Sequence, residues 1–349
     1  MRYNGIIILL VFCLTLLLLT GCIVNTVIAK IAIENKENQE DINQNSNNFQ
    51  SSSTDSVQAP TEQPLTESPQ KWSGLGMGIF SGWASDIDTI LANGFTELRI
   101  DIPDYQNTLW LNDSKATVIS AIAKGAKVIW GVSSNAYNNT DYTITAENWP
   151  TFRQAILDAA QWAEDNGVFE FQLGNEEELH VDGTTMTEAQ IIINLKSVAI
   201  DVKAIFTNGK VSYSCWQESI DDWITAGKGD IDILASNVYM SGITFNDNWK
   251  SKITNLVNAF GVDGTYITEF NLSSSSLDDY STDEVIQAAG ITEMIEYIKA
   301  SGIKKALYFA WKDDGETHLG ALKADNTFRL LWNQSLLNQG IKNLLLFQQ

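Results

Sequence analysis

The chain contains few of the side chains that bind metals or form disulfides. Of its 349 residues three are cysteine and two are histidine, and Cys215 is the single cysteine beyond the first 22 residues. A lone thiol cannot form an internal disulfide, and no group of histidines and cysteines has the spacing of a zinc site. His180 and His318 offer little material for a triad or a metal centre built on histidine. We expect no metal site, and we expect Cys215 to be a buried hydrophobic residue.

Basic residues are also scarce. Lysine and arginine number 22 against 43 aspartates and glutamates, so the formal net charge is −21. This excess of negative charge argues against binding to nucleic acid and against direct adhesion to anionic lipid. It does not identify a substrate.

The first 22 residues have the features of an export signal. Arg2 precedes an apolar run over residues 5 to 19, which ends at Leu19-Thr20-Gly21-Cys22. A short charged start, an apolar core and small residues before a cleavage point are typical of such signals. The last four residues resemble a bacterial lipoprotein box, in which Cys22 would be lipidated after cleavage. The alternative is an uncleaved anchor helix to about residue 29, since apolar residues continue beyond Cys22. Both interpretations predict a membrane-anchored protein at the cell surface or in the periplasm.

Residues 23 to 70 form the predicted linker. From Glu34 to Gln70 the chain consists mainly of Asn, Gln, Ser, Thr, Glu and Pro, with few large apolar residues. Such a composition cannot bury enough surface to offset chain entropy, so we expect disorder. The linker would hold the folded part, residues 71 to 349, away from the membrane.

The folded part repeats a strand, a helical stretch and a loop or glycine. Its length is close to the roughly 250 residues of one eight-fold β/α barrel. Glycine just past a helix supplies the left-handed residue that ends it, as expected at Gly94, Gly125, Gly167, Gly209 and Gly302. The predicted strands are Leu75–Phe80, Glu97–Asp101, Lys127–Val132, Val168–Leu173, Lys210–Cys215, Ile231–Val238, Tyr266–Phe270 and Ala306–Trp311. We therefore predict an α/β fold, a closed parallel (β/α)8 or TIM barrel.

Two helices carry further signals. An apolar stripe steps by four and three residues and predicts a helix face packed on the barrel: Ile191, Leu195, Val198, Val202 and Ile205. Thr185 and Glu188 have the spacing of a capping box before this helix, as do Ser281 and Glu284 before a later one.

Two of the predicted strands deliver a glutamate near their C-terminal ends. Glu176 follows Gly174-Asn175, and Glu269 lies in Thr268-Glu269-Phe270. The C-terminal ends of parallel strands are the ligand end of a barrel. The two glutamates are 93 residues apart, which is three repeats of about 31 residues each. They should therefore end strands four and seven, nearly opposite each other, where they could flank one bond.

This placement resembles clan A of the (β/α)8 retaining glycoside hydrolases, most nearly glycoside hydrolase family 5, the cellulase-like enzymes. Asn175-Glu176 and Thr268-Glu269-Phe270 match the motifs of that clan on strands four and seven. The resemblance spans residues 75 to 340, and each motif is a few residues long. It implies that Glu176 is the acid/base and Glu269 the nucleophile in cleavage of a β-linked polysaccharide or oligosaccharide. It also implies that no cofactor is needed, and we expect a monomer.

The same resemblance assigns further residues. Arg99, near the end of strand two, and Tyr239, at the end of strand six, would keep Glu269 charged. Asn175 would reach the sugar 2-hydroxyl, and Trp311 would be the tryptophan platform under the sugar. Further tryptophans in or near loops predict an extended saccharide cleft, namely Trp83, Trp110, Trp149, Trp216 and Trp249; Trp130 and Trp162 are expected in the core.

The chain departs from family 5 at two positions. Family members usually have a histidine two residues before the strand-six tyrosine, where this chain has Asn237. A histidine near the end of strand three is also missing, since Val132-Ser133-Ser134-Asn135 stands there. These differences leave the family and the substrate open, so glucan, mannan and xylan cannot be separated.

Other interpretations remain for the individual residues. Residues Glu176 to Glu178 could form a solvated acidic loop, Arg99 a structural ion pair, and Tyr239 and Trp311 parts of the core. The chain could also be a carbohydrate-binding barrel without turnover, or a transglycosylase that uses the same residues. The coincidence of five suitable residues at the ends of strands two, four, six, seven and eight favours an active site.

Overall fold

The computed structural model of the protein describes residues 72–134, 143–240, 248–272, 284–313, 319–329 and 331–337. In this part of the chain eight parallel strands pair in sequence order and close into a barrel, with the eighth beside the first. The strands are β1 (Leu75–Ile79), β2 (Glu97–Ile100), β3 (Lys127–Gly131), β4 (Glu170–Asn175), β5 (Lys210–Trp216), β6 (Ile233–Met240), β7 (Ile267–Leu272) and β8 (Ala306–Tyr308). The predicted barrel is confirmed. The predicted leader, Cys22 and the linker lie outside the described residues.

Within the described ranges an α-helix follows each of the first seven strands. These are α1 (Ile87–Ala92), α2 (Thr108–Ala123), α3 (Trp149–Asp165), α4 (Glu188–Ile205), α5 (Ile220–Ala226), α6 (Asn248–Phe260) and α7 (Glu284–Ala300). Shorter 3-10 helices span Ser81–Asp86, Glu177–Leu179 and Gln217–Ser219, and a π-helix spans Trp332–Leu337. Among the helices of these ranges, none is long and apolar enough to cross a membrane.

Each predicted strand overlaps an observed one, and the differences lie at the ends. β4 and β6 begin and end two residues later than predicted, and β8 ends at Tyr308 rather than Trp311. Because β4 ends at Asn175, Glu176 is the first residue beyond it. Glu269 lies inside β7 and is paired across the ladder with Asn237 of β6.

The N-terminus of α4 differs from the prediction by two residues. Thr187, rather than Thr185, is the N-cap: its hydroxyl accepts the Gln190 N–H at 3.3 Å, and the Gln190 side chain accepts the Thr187 N–H at 2.9 Å. The Thr185 hydroxyl instead donates to Asp182 Oδ2 at 2.7 Å in the preceding turn. The predicted box of Thr185 and Glu188 is therefore wrong, because Thr185 is already held before the helix begins.

The other helix signals had mixed outcomes. The apolar stripe of α4 is confirmed, since four of its five residues are buried and Ile205 is half-buried against the core. Ser281 lies outside the described residues. Four of the five predicted helix-end glycines have positive φ, for example 73° at Gly167. Gly209 differs, because a Cβ there would lie 2.0 Å from the carbonyl oxygen of Phe169. Close approach of two backbone segments, rather than a left-handed turn, requires that glycine.

A buried polar cluster lies at the N-terminal end of the barrel. Glu170, the first residue of β4, accepts hydrogen bonds from the Tyr266 hydroxyl at 2.5 Å and from Lys305 Nζ at 2.7 Å. The Lys305 ammonium also lies 3.9 Å from the centre of the Tyr266 ring. In this fold the N-terminal end serves stability, and the opposite end carries the site.

Candidate active site

A cavity of about 350 Å³ opens at the C-terminal ends of the strands. Its volume lies in the range of small-molecule sites. Both candidate glutamates line it, together with side chains from the tips of several strands and from the loops that follow them. The lining residues are Phe80, Arg99, Asp101, Ile102, Trp110, Ser133, Asn175, Glu176, His180, Trp216, Tyr239, Glu269, Phe309 and Leu319.

Glu269 is held by two donors from other strands. Arg99 Nη1 lies 2.6 Å from Glu269 Oε1, and the Tyr239 hydroxyl donates to Glu269 Oε2. Burial, together with the charges of Glu269 and Glu176, raises the pKa of the Tyr239 hydroxyl well above its ordinary value. Tyr239 therefore stays protonated and keeps donating. The two donors fix the position of the Glu269 carboxylate through both of its oxygens.

Arg99 joins three strands at the base of the cavity. Its Nε donates to Gln172 Oε1 at 2.8 Å and its Nη2 donates to Asn175 Oδ1 at 2.8 Å, in addition to the ion pair with Glu269. The arginine is 4% exposed. Burying a guanidinium costs free energy unless it is paired and hydrogen-bonded, and all three of its nitrogens have partners here.

Glu176 stands on a left-handed backbone with φ 58° and ψ 33°. Its N–H donates to the carbonyl oxygen of Ser214 at 2.8 Å, which ties the start of the loop to β5. Non-glycine residues seldom adopt this conformation, and such strain gathers at functional sites. The strained backbone begins the 3-10 turn that directly follows β4.

The Glu176 carboxylate accepts a hydrogen bond from an amide. Asn237 Nδ2 donates to Glu176 Oε1 at 2.7 Å and lies 3.1 Å from Asn175 Oδ1. Asn237, the residue that stands where family 5 usually has a histidine, therefore links Glu176 to Asn175 and through it to Arg99. The two carboxylates thus have different donors, a guanidinium and a tyrosine hydroxyl at Glu269 and an amide at Glu176.

Trp311 does not line the cavity, so its predicted role as the sugar platform is wrong. It is 1% exposed, its indole N–H donates to Asp86 Oδ2 at 2.8 Å, and its ring packs edge-on against Phe328 and Trp332. Phe309, the first residue after β8, lines the cavity instead. The prediction assumed that strand eight continues to Trp311, but the strand ends at Tyr308.

The other tryptophans with a prediction from the sequence lie either at the cavity or against the core. Trp110 and Trp216 line the cavity. Trp130 and Trp249 are buried, and Trp83, Trp149 and Trp162 are half-buried against the core. Two of the tryptophans expected in a cleft thus lie at the cavity.

Glu177 was not predicted as a site residue, yet it is fully buried beside Glu176. Its carboxylate accepts the Asn175 N–H at 3.1 Å, and both its oxygens lie 3.3 Å from the Ser134 N–H. His180 Nδ1 lies 3.5 Å from Glu177 Oε2 and 3.0 Å from Ser134 Oγ. These contacts connect the loop after β4 to the end of β3. The interpretation of Glu176 to Glu178 as a solvated loop is wrong, because all three side chains are buried.

His180 brings an imidazole to the cavity from the loop after β4. It lies beside Ser133 and Ser134, at the end of β3, where family 5 usually has a histidine and this chain has none. Burial lowers and the neighbouring glutamates raise the pKa of His180, with a net rise above its ordinary value. One feature of the sequence could have indicated that His180 is near the site: it lies four residues after Glu176 of the Asn175-Glu176 motif.

Glu178 ties the same loop to β5. Its Oε1 accepts the Trp216 N–H at 2.8 Å and its Oε2 accepts the Tyr213 hydroxyl. Burial raises the pKa of Glu178 to about 7, and the neighbouring charge of Glu176 acts in the same direction. Glu178 therefore holds the backbone of Trp216, which lines the cavity.

Replacing Glu178 with glutamine should flatten the pH dependence of stability. Because its pKa is higher folded than unfolded, the folded state binds more protons between about pH 4.5 and about pH 7, and stability falls as the pH rises through that window. The full effect of such a shift is about 3 kcal/mol. Urea unfolding near pH 5 and near pH 8 should show this loss in the wild type and not in Glu178→Gln. Equal pH slopes in both proteins would contradict the assignment.

The chain is similar in fold to several solved structures. No protein-family model matches the chain, and no curated protein matches it. An exo-β-1,4-mannosidase from Opitutaceae bacterium strain TAV5 has a TM-score of 0.59 at 13% identity, over 76% of this chain and 58% of that one. A family 5 xyloglucanase from Paenibacillus pabuli has a TM-score of 0.57 at 16% identity, over 77% of this chain and 97% of that one. A β-1,4-mannanase of family 113 has a TM-score of 0.53 at 14% identity, over 72% of this chain and 94% of that one.

These similarities concern the barrel. The chain spans a little over half the length of the mannosidase and nearly all of the other two proteins. It shares the eight-stranded β/α barrel of these three enzymes, and the fold expected from the sequence resemblance is confirmed.

Proposed function

We propose that the chain is a retaining glycoside hydrolase that cleaves a β-linked polysaccharide or oligosaccharide. The observation that carries the proposal is one cavity with two buried glutamates, one bonded to Arg99 and Tyr239 and the other to Asn237. Glycoside cleavage needs such a pair, an acid for the leaving oxygen and a carboxylate on the opposite face. The neighbours named for β-1,4-mannosidase and β-1,4-mannanase activity support a β-1,4-linked glycan as the substrate class.

The reaction would proceed in two displacements. In the first, a Glu269 oxygen bonds to the anomeric carbon while the bond to the leaving sugar breaks, and Glu176 gives its proton to the leaving oxygen. In the second, Glu176 removes a proton from water, the water oxygen bonds to the anomeric carbon, and Glu269 is released. Two inversions at one carbon retain its configuration.

The remaining site residues would act on charge and orientation. Arg99 and Tyr239 hold the Glu269 carboxylate in one position through its two oxygens. The oxygen of Asn175 is occupied by Arg99 and Asn237, so its amide nitrogen is the group that we assign to the sugar 2-hydroxyl. Hydrogen bonds to that hydroxyl strengthen in the transition state.

Release of reducing sugar from soluble β-glucans, β-mannans and xylans tests the proposal. Cleavage of at least one of them, with the β-configuration retained in the first-formed product by NMR, is the expected result. Binding of a polysaccharide without cleavage would instead support a carbohydrate-binding barrel. Transfer to added sugar in place of hydrolysis would support a transglycosylase.

We also propose that the enzyme is exported and tethered to a membrane through Cys22. The support comes from the sequence of residues 1 to 22 and from the polar composition of the linker. An anchored enzyme with a long linker could reach polymers outside the cell.

Replacing Cys22 with serine should release the protein from membranes or leave it as an unprocessed precursor, because serine has no thiol to lipidate. Membrane fractionation and the apparent mass of the protein measure this. Cys13→Ser, inside the apolar run, is the matched control and should leave attachment unchanged. If Cys22→Ser stays anchored at the mature size, an uncleaved helix is the better explanation.

A further inference from the structure

Asp101 lies at the cavity next to the arginine that holds Glu269. It follows the last residue of β2 and is two residues beyond Arg99, so the two side chains leave the strand on the same face. Both line the cavity, and Asp101 is 7% exposed. The roles proposed above leave this carboxyl group without a function.

The Asp101 carboxyl group is held in a fixed orientation. Its Oδ2 accepts the Ser81 hydroxyl at 3.2 Å and the indole N–H of Trp110. Its backbone N–H donates to the Ile79 carbonyl at 2.8 Å, and its carbonyl oxygen accepts the Ser114 hydroxyl at 3.1 Å. Two hydrogen bonds orient the carboxyl group and two hold the backbone of the residue before any ligand arrives.

The second oxygen of the same group has no such partner. Asp101 Oδ1 is buried and accepts no hydrogen bond from the part of the chain that the structure describes. Burial raises the pKa of the Asp101 carboxyl group. A buried acceptor without a donor costs free energy, so buried polar groups nearly always have a partner. The arrangement is therefore suited to a donor that arrives with a ligand, and a sugar hydroxyl is such a donor.

The indole of Trp110 adds an apolar surface at the same place. The backbone N–H of Trp110 donates to Asn107 Oδ1 at 3.0 Å at the start of α2, and its indole N–H donates to Asp101. Trp110 is thus fixed at its backbone and at its indole nitrogen while it lines the cavity. An aromatic surface with a few fixed polar groups is the usual composition of a small-molecule site.

The charges of the cavity select among sugars. Three carboxyl groups line it, those of Asp101, Glu176 and Glu269. Of the two basic side chains in the lining, Arg99 is paired with Glu269, and His180 lies against Glu177 and Ser134. A sugar that carries its own carboxylate would place a further negative charge among them, which is unfavourable. A neutral sugar meets no such repulsion.

We propose that Asp101 and Trp110 form a binding site for the glycone, in which Asp101 Oδ1 accepts a hydroxyl of a neutral sugar whose ring lies against Trp110. This inference rests on the proposed hydrolase function and deepens it by naming neutral, rather than uronic, sugars. The glycone is assigned because Asp101 and Arg99 share one strand face and Arg99 holds the nucleophile.

The test compares Asp101→Asn with the wild type on 4-nitrophenyl β-glycosides of glucose, mannose, xylose and their β-1,4-disaccharides, and on the β-glucuronide. On the best neutral substrate, Asp101→Asn should lower kcat/KM by about 10- to 100-fold, the usual worth of a hydrogen bond to a charged group. The substitution puts an N–H where the acceptor was. Asp104→Asn is the matched control: Asp104 is also buried, does not line the cavity, and caps the Gln106 N–H at 2.9 Å through Oδ1, which asparagine retains.

Monodeoxy analogues of the best substrate identify the partner of Asp101. Removal of one particular hydroxyl should lower the kcat/KM of the wild type about as much as the Asp101→Asn substitution does. The same removal should not lower the kcat/KM of the Asp101→Asn variant any further. Equal losses for every analogue in both proteins would overturn the proposal, as would a kcat/KM for Asp101→Asn within twofold of the wild type. Preference of the wild type for the glucuronide would overturn the choice of neutral sugars.

Binding measurements separate failure of this inference from failure of the hydrolase function. Quenching of tryptophan fluorescence by cellohexaose, mannohexaose and xylohexaose reports binding without turnover. Binding that Asp101→Asn weakens at least tenfold, in a chain that cleaves nothing, would keep the sugar site and reject the hydrolase. Cleavage that does not depend on Asp101 would keep the hydrolase and reject the site. A chain that neither binds nor cleaves these sugars would overturn both.

Discussion

Glu269→Ala should abolish turnover on every substrate that the wild-type chain cleaves. Without this carboxylate no covalent intermediate can form, so the loss in kcat should exceed the 10²–10⁴-fold that general acid–base catalysis usually contributes, about 10⁴-fold or more. The alanine also leaves Arg99 as a buried charge without its ion-pair partner. Glu269→Gln keeps the shape of the side chain and should be equally inactive, which separates lost chemistry from lost stability. Initial rates and the far-UV circular dichroism of each variant provide the measurement.

Glu170→Ala is the matched control for this experiment. Glu170 is likewise buried on a strand and bonded to a cation, Lys305, and to a tyrosine, Tyr266. It lies at the N-terminal end of β4, away from the cavity. We expect a lower unfolding midpoint and an unchanged kcat for the folded fraction. If Glu170→Ala loses as much kcat as Glu269→Ala, the assignment of the nucleophile is wrong.

The barrel could be predicted from the sequence because its signals repeat. Apolar strands, helical stretches and glycines recur at similar intervals, so an error in one element does not change the count. The ends of elements were less predictable. The apolar pattern begins in the turn before β4, so Val168 and Phe169 were included in the predicted strand although β4 begins at Glu170. Thr185 met the spacing rule of a capping box as well as Thr187 does, and only the turn around Asp182 decides between them.

The candidate glutamates and Arg99 could be placed because they stand at or near strand ends, where the direction of the chain is known. Trp311 could not be placed, since the direction of its side chain depends on where β8 ends. Strand alternation would put Phe309 and Trp311 on one face, but β8 ends at Tyr308 and the rule no longer applies. Trp311 packs into an aromatic cluster with Phe328 and Trp332, residues of a later segment that strand spacing could not locate.

The burial of Glu177 and Glu178 could not be predicted either. Three consecutive glutamates are usually solvated. Their burial depends on partners on two other strands, Ser134 just beyond β3 and Tyr213 in the middle of β5. Such partners are distant in the sequence, and no local pattern marks them. Glu177 and Glu178 thus tie the loop after β4 to two other strands through contacts that are distant in the sequence.

Glu176→Ala should show a loss that depends on the leaving group. The substitution removes proton transfer, which is usually worth about 10²–10⁴-fold. The loss should be severe when the leaving group is a sugar alkoxide, which needs the proton. It should be much smaller in the first step with an activated aryl glycoside, whose leaving group departs without one. Rates on a polysaccharide and on a 2,4-dinitrophenyl β-glycoside, compared for the same variant, measure the difference.

Added azide distinguishes the roles of the two glutamates. In Glu176→Ala it should restore turnover and give a β-glycosyl azide, because azide replaces the water that Glu176 would have activated and attacks the covalent intermediate. In Glu269→Ala any azide product should be the α-anomer, since azide attacks directly from the face that the carboxylate vacated. Glu177→Ala is the matched control, because Glu177 is a neighbouring buried carboxylate bonded to Ser134 and Asn175. Azide rescue with retention in Glu177→Ala, and none in Glu176→Ala, would move the acid/base to Glu177 and contradict the role assigned to Glu176.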